Sequence, residues 1–430
     1  MVLPPSPSAA RPVRRLRPVQ RHALPRALHA DRAWAFARTL EHGVRDPTFR
    51  ALVQRIDGSP WHAFDGLAVF EDGAATFAAI LAAIGEATDE VLLETYILRD
   101  DRIGAAVRRA LSAAAARGVR VCVLADALGS FATSRAYWRA LEAAGITVRL
   151  FHPWWRSPLH AWRRDHRKII VVDRATAFVG GMNIGEEYGS ATHPHAERFR
   201  DSFARVHGTV TDELAAVFAE GWERAEGPPL PGLRPVHRTP RHDVAPLEGP
   251  AALVLDGRPG RGQPETIAVL AALVGAARER LWITTPYFAP PDGGLHILAD
   301  AAMRGVDVRL LLPGPTDVPV MRHAAHGAYA RLLRAGVRVY EYARCVLHAK
   351  TMVCDGHLGV IGSANLDFRS FWFNAECNLL VADDATADTL ERQFVADLAH
   401  AHEIDAGTWR QRGFGHATVD ALARAVRVLL

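Results

Sequence analysis

The chain has 430 residues, 49% hydrophobic and 23% charged, so it is globular rather than disordered and exceeds the usual size of one core. A net charge of +4 is mildly basic, which does not choose between an anionic membrane and nucleic acid as a partner. The four cysteines show neither a CxxC pair nor a zinc-ligand spacing. No apolar run approaches the ~18–20 residues that span a bilayer, and no secretory signal is visible. These features predict a reduced, cytosolic protein of two domains or two fused halves.

Residues 1–35 are predicted to be a disordered basic tail. Six arginines precede the first acidic residue, Asp31, and the stretch is too poor in large apolar residues to build a core. Two roles remain open for it: a solubilising leader, or an electrostatic tether to anionic lipid.

From about residue 60 the pattern becomes α/β, and the chain is predicted to form two halves at residues 36–226 and 251–430, joined by a Pro-rich linker at 227–250 with seven prolines. Strands and helices alternate in the same order in each half, which indicates an internal duplication. The alternation predicts a mainly parallel sheet flanked by helices in each half, with the site at the C-terminal ends of the strands. The predicted elements of the first half are Val91–Leu98, Ile103–Ala116, Val119–Ala125, Ser134–Ala144 and Ile146–Phe151, and those of the second are Leu281–Phe288, Leu295–Met303, Val306–Leu312, Met321–Ala335 and Val337–Tyr342.

One motif, His-x-Lys-x4-Asp, occurs in each half directly after these elements. Its residues are His166, Lys168 and Asp173 in the first copy and His348, Lys350 and Asp355 in the second. In both copies a small-residue turn begins 14 residues after the histidine and an asparagine follows at 17. The turns are Gly180-Gly181-Met182-Asn183 and Gly362-Ser363-Ala364-Asn365. A lone histidine among 20 is usually structural, but two copies with the same spacing point to a shared catalytic site.

The lysine content supports the same conclusion. The chain has 51 basic residues, and only Lys168 and Lys350 are lysine, the remainder being arginine. A compact ammonium suits one oxygen of a phosphoryl group in a crowded pocket, where a planar guanidinium does not fit.

The runs that follow the two lysines are short and apolar, so we interpret them as strands. Side chains alternate across a strand, which places each histidine and its lysine on one face. Asp173 and Asp355, at an odd offset of seven from the histidine, point to the other face and are expected to be structural partners rather than proton donors. Two histidines and two lysines, with Asn183, Ser363 and Asn365 as neutral donors to phosphate oxygens, predict a phosphoryl-transfer site without a metal.

These motifs resemble the phospholipase D superfamily. The flanks Glu94-Thr95-Tyr96-Ile97, Arg164-Asp165-His166-Arg167-Lys168, Val179-Gly180-Gly181-Met182-Asn183-Ile184-Gly185 and Gly362-Ser363-Ala364-Asn365-Leu366-Asp367-Phe368-Arg369-Ser370 are similar to bacterial cardiolipin synthases. The resemblance runs from about residue 60 to the C-terminus. It implies that the halves pack around a pseudo-twofold axis with both motifs in one cleft, and that Asp201 and Glu376 each orient a catalytic histidine. The membrane-spanning N-terminal segments of many such synthases are not found here, so a peripheral enzyme at the cytosolic face is expected.

The resemblance implies phosphatidyl transfer from phosphatidylglycerol to a second lipid or alcohol, with no cofactor. His166 is assigned as nucleophile and His348 as acid by family analogy, an assignment that the near symmetry of the motifs leaves open. One alternative is a phospholipase D that hydrolyses head groups. A nuclease or other phosphodiesterase is a second, although no separate nucleic-acid-binding module is found and no nucleic acid partner is expected. A catalytically dead membrane scaffold would require a lost motif residue, and both motifs are intact.

Three further features have open interpretations. Histidine pairs at 193/195, 323/326 and 400/402 lack a recognisable ligand pattern, so no metal is predicted. The stretch Trp154-Trp155-Arg156 with Trp162 is either core packing or an interfacial anchor. The stripe Val419, Leu422, Val426 and Leu429 favours a C-terminal helix docked on the domain over one lying on lipid.

Overall fold

Two helices begin the part of the chain that the computed structural model describes, which comprises residues 26–153, 162–189, 198–233, 249–258, 264–412 and 414–426. They are α1 (Arg26–Ala37) and α2 (Pro47–Asp57). The Asp46 side chain accepts the Thr48 N–H at the start of α2, and Gly58, with φ 87°, ends it. Residues 26–35 are therefore helical, which corrects the predicted tail boundary, while residues 1–25 lie outside the described ranges.

The first half follows the predicted alternation, and each predicted element is found within a few residues. Its elements are β1 (His62–Phe70), α3 (Gly73–Glu86), β2 (Glu90–Thr95), α4 (Arg102–Ala116), β3 (Arg120–Asp126), α5 (Arg135–Ala143), β4 (Thr147–Phe151), β5 (Ile169–Val172), β6 (Thr176–Gly180), α6 (Glu186–Gly189), β7 (Phe199–Arg200), β8 (Phe203–Gly208) and α7 (Val210–Arg224).

The second half repeats the order and adds a C-terminal extension. Its elements are β9 (Ala251–Gly257), α8 (Pro264–Ala276), β10 (Arg280–Thr284), α9 (Asp292–Met303), β11 (Asp307–Pro313), α10 (Pro319–Arg334), β12 (Arg338–Tyr342), β13 (Val346–Leu347), β14 (Thr351–Cys354), β15 (Leu358–Gly362), α11 (Phe368–Trp372), β16 (Glu376–Ala382), α12 (Asp384–Leu398), β17 (Ala401–Glu403), α13 (Ala406–Arg410) and α14 (Phe414–Ala425).

Both halves contribute to one sheet of 15 strands, ordered β17-β12-β11-β10-β14-β15-β16-β9-β1-β8-β6-β5-β2-β3-β4. Strands β2, β3 and β4 pair in parallel, as do their counterparts β10, β11 and β12. The remaining neighbours in this sheet pair antiparallel, because after the third parallel strand the chain returns as a hairpin, β5–β6 or β14–β15, on the other side of the first. The α/β duplication is confirmed, whereas the expectation of mainly parallel sheets is wrong.

The halves share their hydrophobic core. One cluster joins first-half residues on β5, β6 and α7, such as Val171 and Phe218, to second-half residues on β9, β16 and α12, such as Leu379 and Phe394. A second cluster places Phe49 and Val53 of α2 with residues of α8. Residues 36–57, predicted to belong to the first half, therefore pack into the core of the second.

The last helix, α14, docks with the face opposite to the expected one. Asp420 and Ala423 are buried, whereas Val419, Leu422 and Val426 are exposed. The fourth member of the stripe, Leu429, lies outside the described residues. Within those residues, no helix combines the length and apolarity that crossing a bilayer requires.

Candidate active site

Backbone contacts between the halves bring the two motif histidines together. The His166 N–H donates to the Ala375 carbonyl (2.9 Å), and the His348 N–H donates to the Arg200 carbonyl (2.7 Å). Each carbonyl belongs to the residue just before a predicted orienting carboxylate, Glu376 or Asp201. The arrangement is reciprocal, as expected for a pseudo-twofold axis, so each histidine meets a carboxylate of the other half.

Glu376 binds His166 through both carboxylate oxygens, which lie 2.9 and 3.1 Å from Nδ1. Three neutral donors hold this carboxylate: Ser363 Oγ (2.6 Å), Ser370 Oγ (2.9 Å) and Asn374 Nδ2 (3.2 Å). Burial favours a raised pKa for Glu376, but His166 and these partners outweigh it and the pKa is lowered. Because an ionised carboxylate only accepts, Nδ1 of His166 carries the proton and Nε2 presents its lone pair for reaction.

Asp201 binds His348 in the same way, with Oδ2 2.6 Å from Nδ1. Its other oxygen accepts the Ser202 N–H (2.7 Å), and Lys350 Nζ lies 3.7 Å from Oδ2. Burial is again outweighed, here by Lys350 and His348, and the pKa of Asp201 is lowered. A Cβ at Gly181 would lie 2.1 Å from Asp201 Oδ1, so this turn needs glycine to admit the carboxylate.

The four motif side chains are buried: His166 is 9% exposed, His348 4%, Lys168 1% and Lys350 4%. Burial lowers the pKa of His166 to about 4, against the opposing effect of Glu376. Burial likewise lowers the pKa of Lys168 to about 7, and it lowers that of Lys350. Lys168 Nζ donates to the His166 carbonyl (2.6 Å), and Lys350 Nζ lies 3.1 Å from His348 Nε2. An anionic group entering this site would meet two desolvated ammonium groups.

Asp173 and Asp355 lie at the opposite end of their strands from the lysines. Asp173 accepts the backbone N–H groups of residues 88, 89 and 90 (each 2.8 Å), and Asp355 accepts those of residues 278, 279 and 280 (2.8–2.9 Å). Each carboxylate thus fixes the turn that leads into the neighbouring parallel strand, β2 or β10. The structure does not bring either carboxylate to the histidines.

The predicted phosphate-binding side chains differ in their surroundings. Ser363 holds Glu376, and Asn183 accepts the Ile97 N–H (3.1 Å) and donates to Tyr188 (2.8 Å). Asn365 is 3% exposed, and its side-chain oxygen has no hydrogen-bond partner. Ser363 and Asn183 are committed to protein partners, whereas the Asn365 oxygen is not, and rotation of this amide would offer Nδ2 to a phosphate oxygen.

Aromatic rings that sequence analysis did not assign to the site enclose the histidines. Tyr96 lies edge-on to His166 at 5.0 Å between ring centroids, and Tyr188, Phe199 and Tyr287 lie 5.3–6.3 Å from His348. They come from the C-terminal ends of β2 and β10, from α6 and from β7. Tyr96 stands in the stretch Glu94-Thr95-Tyr96-Ile97, and only the family resemblance of that stretch marked it.

A buried ion cluster lies beside the first motif. Arg167 is 1% exposed and binds Glu220 (2.8 Å), Asp256 and the Gly257 carbonyl (3.1 Å), and its Nη1 lies 3.6 Å from Glu94. Burial raises the pKa of Glu94 well above its usual value. The second motif has Ala349 at the position of Arg167, so the cluster makes the halves unequal.

Among the described residues, one group has the spacing of metal ligands: His323, His326 and Asp420, whose ligand atoms lie within 4.8 Å of one another. His323 Nδ1 contacts Asp420 Oδ1 (2.9 Å), His326 Nε2 contacts Glu341 (2.7 Å), and Arg412 donates to Asp420 Oδ2 (2.8 Å). The group connects α10 to α14, away from the motif histidines. Residues 193 and 195, and the tryptophans at 154 and 155, lie outside the described residues.

Comparison with known proteins places the two motif halves in one family. A family model described as "Cardiolipin synthase, PLD-like domain" matches residues 80–220 and 270–398. The chain is 36% identical to a cardiolipin synthase of Geobacillus kaustophilus, over 88% of this chain and 75% of that protein. It is 39% identical to cardiolipin synthase A of Pseudomonas fluorescens, over 77% and 68%. The fold is similar to that of a phosphatidylserine synthase of Haemophilus influenzae, with a TM-score of 0.70, 14% identity, and coverage of 89% of this chain and 100% of that one.

Proposed function

The chain belongs to the phospholipase D-like cardiolipin synthase family of phosphatidyltransferases, and on that premise we propose that it makes cardiolipin from phosphatidylglycerol through a phosphatidyl-histidine intermediate. The observation that carries the proposal is the pair of buried histidines, each oriented through Nδ1 by a carboxylate of the other half, beside two buried lysines. The Pro-rich segment 227–250 is proposed to link the halves.

In the first step, Nε2 of one histidine attacks the phosphorus of a phosphatidylglycerol head group. The bond from phosphorus to the head-group glycerol oxygen breaks, and the other histidine gives its proton to that oxygen. In the second step, the head-group hydroxyl of another phosphatidylglycerol gives its proton to the second histidine and attacks phosphorus. The phosphorus–nitrogen bond breaks, releasing cardiolipin and restoring both histidines.

Lys168, Lys350 and Asn365 are proposed to hold the non-bridging oxygens, where negative charge must be stabilised in both transition states. Both lysines are buried, so the attraction between their ammonium form and an entering anion is screened little by water. Asp201 and Glu376 keep the histidines in the tautomer that leaves Nε2 available.

The two carboxylates differ in a way that supports His166 as nucleophile and His348 as acid. Glu376 shares its charge with three neutral donors besides His166, whereas Asp201 has one backbone N–H besides His348 and Lys350. A carboxylate with fewer hydrogen bonds stabilises an adjacent imidazolium more strongly. Burial lowers the pKa of both histidines, that of His166 to about 4, so the assignment of His348 as proton carrier and His166 as nucleophile rests on the hydrogen bonds of the two carboxylates.

We propose that the enzyme works at the anionic surface of the cell membrane, on the cytosolic side. Both substrates are membrane lipids under this proposal, and the four buried cysteines are free thiols, which suits a reducing compartment.

The test is to trap the intermediate in single-histidine variants. A nitrophenyl phosphodiester needs no proton on its leaving group, so His348→Ala should form a phosphoryl adduct on His166 that accumulates because the base for the second step is missing. His166→Ala should form none. Peptide mass spectrometry locates the adduct. An adduct only on His348 in the converse variant would exchange the two roles, and no adduct in either variant would contradict the covalent mechanism.

Product analysis separates transfer from hydrolysis. The wild type incubated with phosphatidylglycerol vesicles should yield cardiolipin and glycerol. Phosphatidic acid as the main product would make the enzyme a hydrolase. Cleavage of DNA in a separate incubation, with neither lipid product from the vesicles, would make it a nuclease.

A further inference from the structure

The apolar stripe of α14 faces outward although the helix is docked on the protein. Val419, Leu422 and Val426, at i, i+3 and i+7, are 47%, 64% and 44% exposed, while Asp420 on the docked face is 2% exposed. An amphipathic helix ordinarily buries its apolar stripe against the protein to which it is attached. Here the helix leaves that stripe exposed, where it can contact another surface.

Ion pairs fix this orientation. Asp420 is held by His323 of α10 (2.9 Å) and by Arg412 (2.8 Å), and Arg424 binds Asp292 of α9 (2.8 Å). A Cβ at Gly327 would lie 3.0 Å from the Asp420 carbonyl, so α10 has a glycine where the two helices approach most closely. Turning the stripe inward would break these contacts and expose a buried carboxylate.

The docked helix lies one packing layer from the catalytic site. Ala423 packs with Met321 of α10, and the same cluster includes Tyr287, whose ring faces His348. Tyr287 also donates to Asp317 (2.7 Å), in the segment that leads from β11 to the partly exposed Val320. Helix α14 therefore lies on the second-half side of the site, with its stripe exposed.

The first half presents exposed apolar side chains at the corresponding place. Leu128 (41% exposed) and Phe131 (75%) lie after β3, the counterpart of β11. Between them, Ser130 Oγ donates to the Tyr96 carbonyl (3.1 Å), and Tyr96 lies against His166. Trp162 (64%) precedes Arg164, which binds Asp126 at the end of β3 (3.2 Å).

Exposed apolar side chains are concentrated around the site. The described residues expose ten large apolar side chains, and seven of them lie on one side or the other of the histidine pair. We call these two groups the rims: Leu128, Phe131 and Trp162 form the first-half rim, and Val320, Val419, Leu422 and Val426 form the second-half rim. The other three, Phe36, Met303 and Val395, are on α1, α9 and α12. Tyr96, just after β2, lies against His166, and Tyr287, just after β10, lies against His348. The C-terminal ends of these parallel strands thus meet at the histidine pair, and we place both rims around it.

We propose that these seven side chains form a docking surface that inserts into the head-group boundary of a phospholipid bilayer and holds the cleft against it. The proposal rests on the proposed function, because a substrate whose phosphate reaches the buried lysines must leave its acyl chains outside the cleft, beside the rims. Aromatic and aliphatic side chains that reach the acyl boundary suit this position. The ion pairs of α14 offset the cost of keeping its stripe exposed in the unbound protein.

The test uses two rim variants and one matched control of the full chain. The first rim variant is Phe131→Ser with Trp162→Ser, and the second is Val419→Ser, Leu422→Ser and Val426→Ser. The control is Met303→Ser with Val395→Ser, side chains that are 66% and 51% exposed but lie away from the rims. Binding to vesicles of equal parts phosphatidylglycerol and phosphatidylcholine is measured by co-sedimentation. Turnover is measured on the same vesicles and on monomeric short-chain phosphatidylglycerol.

Each rim variant should lose about tenfold or more in vesicle binding and vesicle turnover, because several apolar side chains no longer leave water. Turnover of the monomeric substrate and all properties of the control should stay at the wild-type level. Rim variants that sediment like the wild type, or a control that loses binding equally, would overturn the docking surface. A wild type that binds vesicles through the rims but converts neither substrate would contradict the proposed function and leave the docking surface supported.

Discussion

At the scale of single residues, the candidate site is marked by two lysine side chains that are buried from solvent. Lys168 and Lys350 are the chain's two lysines, and both are nearly inaccessible to solvent. Their lowered pKa values show that burial works against their charged form, a cost that a phosphate anion would reverse on binding. Lysine scarcity in the sequence pointed to both positions.

The first prediction follows from this confinement. Lys168→Arg and Lys350→Arg should each lower kcat by about 10²–10³, because a planar guanidinium cannot occupy the place of a compact donor to the transition state. Steady-state kinetics measures the loss, and circular dichroism confirms folding. Arg392→Lys, a charge-preserving change at an exposed ion pair, serves as the control and should have no effect. Near wild-type rates in both lysine variants would refute the argument from lysine scarcity.

The second prediction concerns pH. With a pKa lowered to about 7, Lys168 is cationic below that pH and neutral above it, so kcat/KM should fall as the pH rises through about 7. A nitrophenyl phosphodiester should be used, because it removes the requirement for a proton on His348. Lys168→Arg keeps its charge at high pH, so its lower rate should lack this alkaline decline. A decline at the same pH in both proteins would assign it to another group.

At the scale of secondary-structure elements, the aspartate of each motif holds the start of a neighbouring strand and does not contact the histidines. The sequence placed Asp173 and Asp355 on the face opposite to the histidines, and in the structure each accepts three backbone N–H groups that begin the next parallel strand. Both have φ 51°, a conformation that asparagine also tolerates. The motif thus combines two candidate catalytic side chains with one that joins two strands.

The third prediction is therefore a loss of stability without a loss of chemistry. Asp173→Asn should lower the free energy of unfolding by about 1–3 kcal/mol, because a neutral amide offers one acceptor where the carboxylate offers two. The pKa of Asp173 is lowered by backbone hydrogen bonds that outweigh its burial, so its contribution is present above its ordinary pKa and is lost as the pH falls through the folded value. The deficit measured by urea unfolding should shrink in acid. A large drop in kcat with unchanged stability would instead make Asp173 catalytic.

The sequence predicted the helices and strands better than it predicted which strands pair and which helix face docks. Alternating apolar runs located β2 to β4 and β10 to β12 because periodicity is local. The dipeptide Asp355-Gly356 is a local hairpin signal for β14 and β15, but antiparallel pairings such as β1 with β8 and β9 with β16 join strands that are distant in sequence, and alternation of strands and helices does not reveal them. The α14 stripe was recognised, but periodicity cannot tell which face of a helix meets the protein. The family resemblance identified Asp201 and Glu376. It did not predict that each binds the histidine of the other half, because that depends on long-range packing.

At the scale of the whole molecule, the halves are interwoven rather than adjacent. Strand β1 pairs with β9 to make one sheet, one core cluster draws residues from both halves, and α1 and α2 pack on α8 across the duplication. Each histidine takes its carboxylate from the opposite half. Neither half contains a complete site, so assembly of the halves and assembly of the site are one event.

The last prediction tests this by cutting the chain between residues 234 and 248. Co-expressed fragments, with a tag on one only, should co-purify and retain most of the turnover of the intact enzyme, because the shared sheet and core do not require a covalent link. Glu376→Gln in the C-terminal fragment should lower turnover by about 10² or more, since it deprives His166 of the N-terminal fragment of its orienting carboxylate. Asp397→Asn, which disturbs a salt bridge to Arg200 at the same junction, serves as the control: it should weaken association of the fragments more than it affects kcat of the assembled pair. Fragments that separate on a sizing column would show that the shared sheet and core need the covalent link. One fragment that is fully active alone would show that one half holds a self-sufficient site and that the reciprocal carboxylates are dispensable.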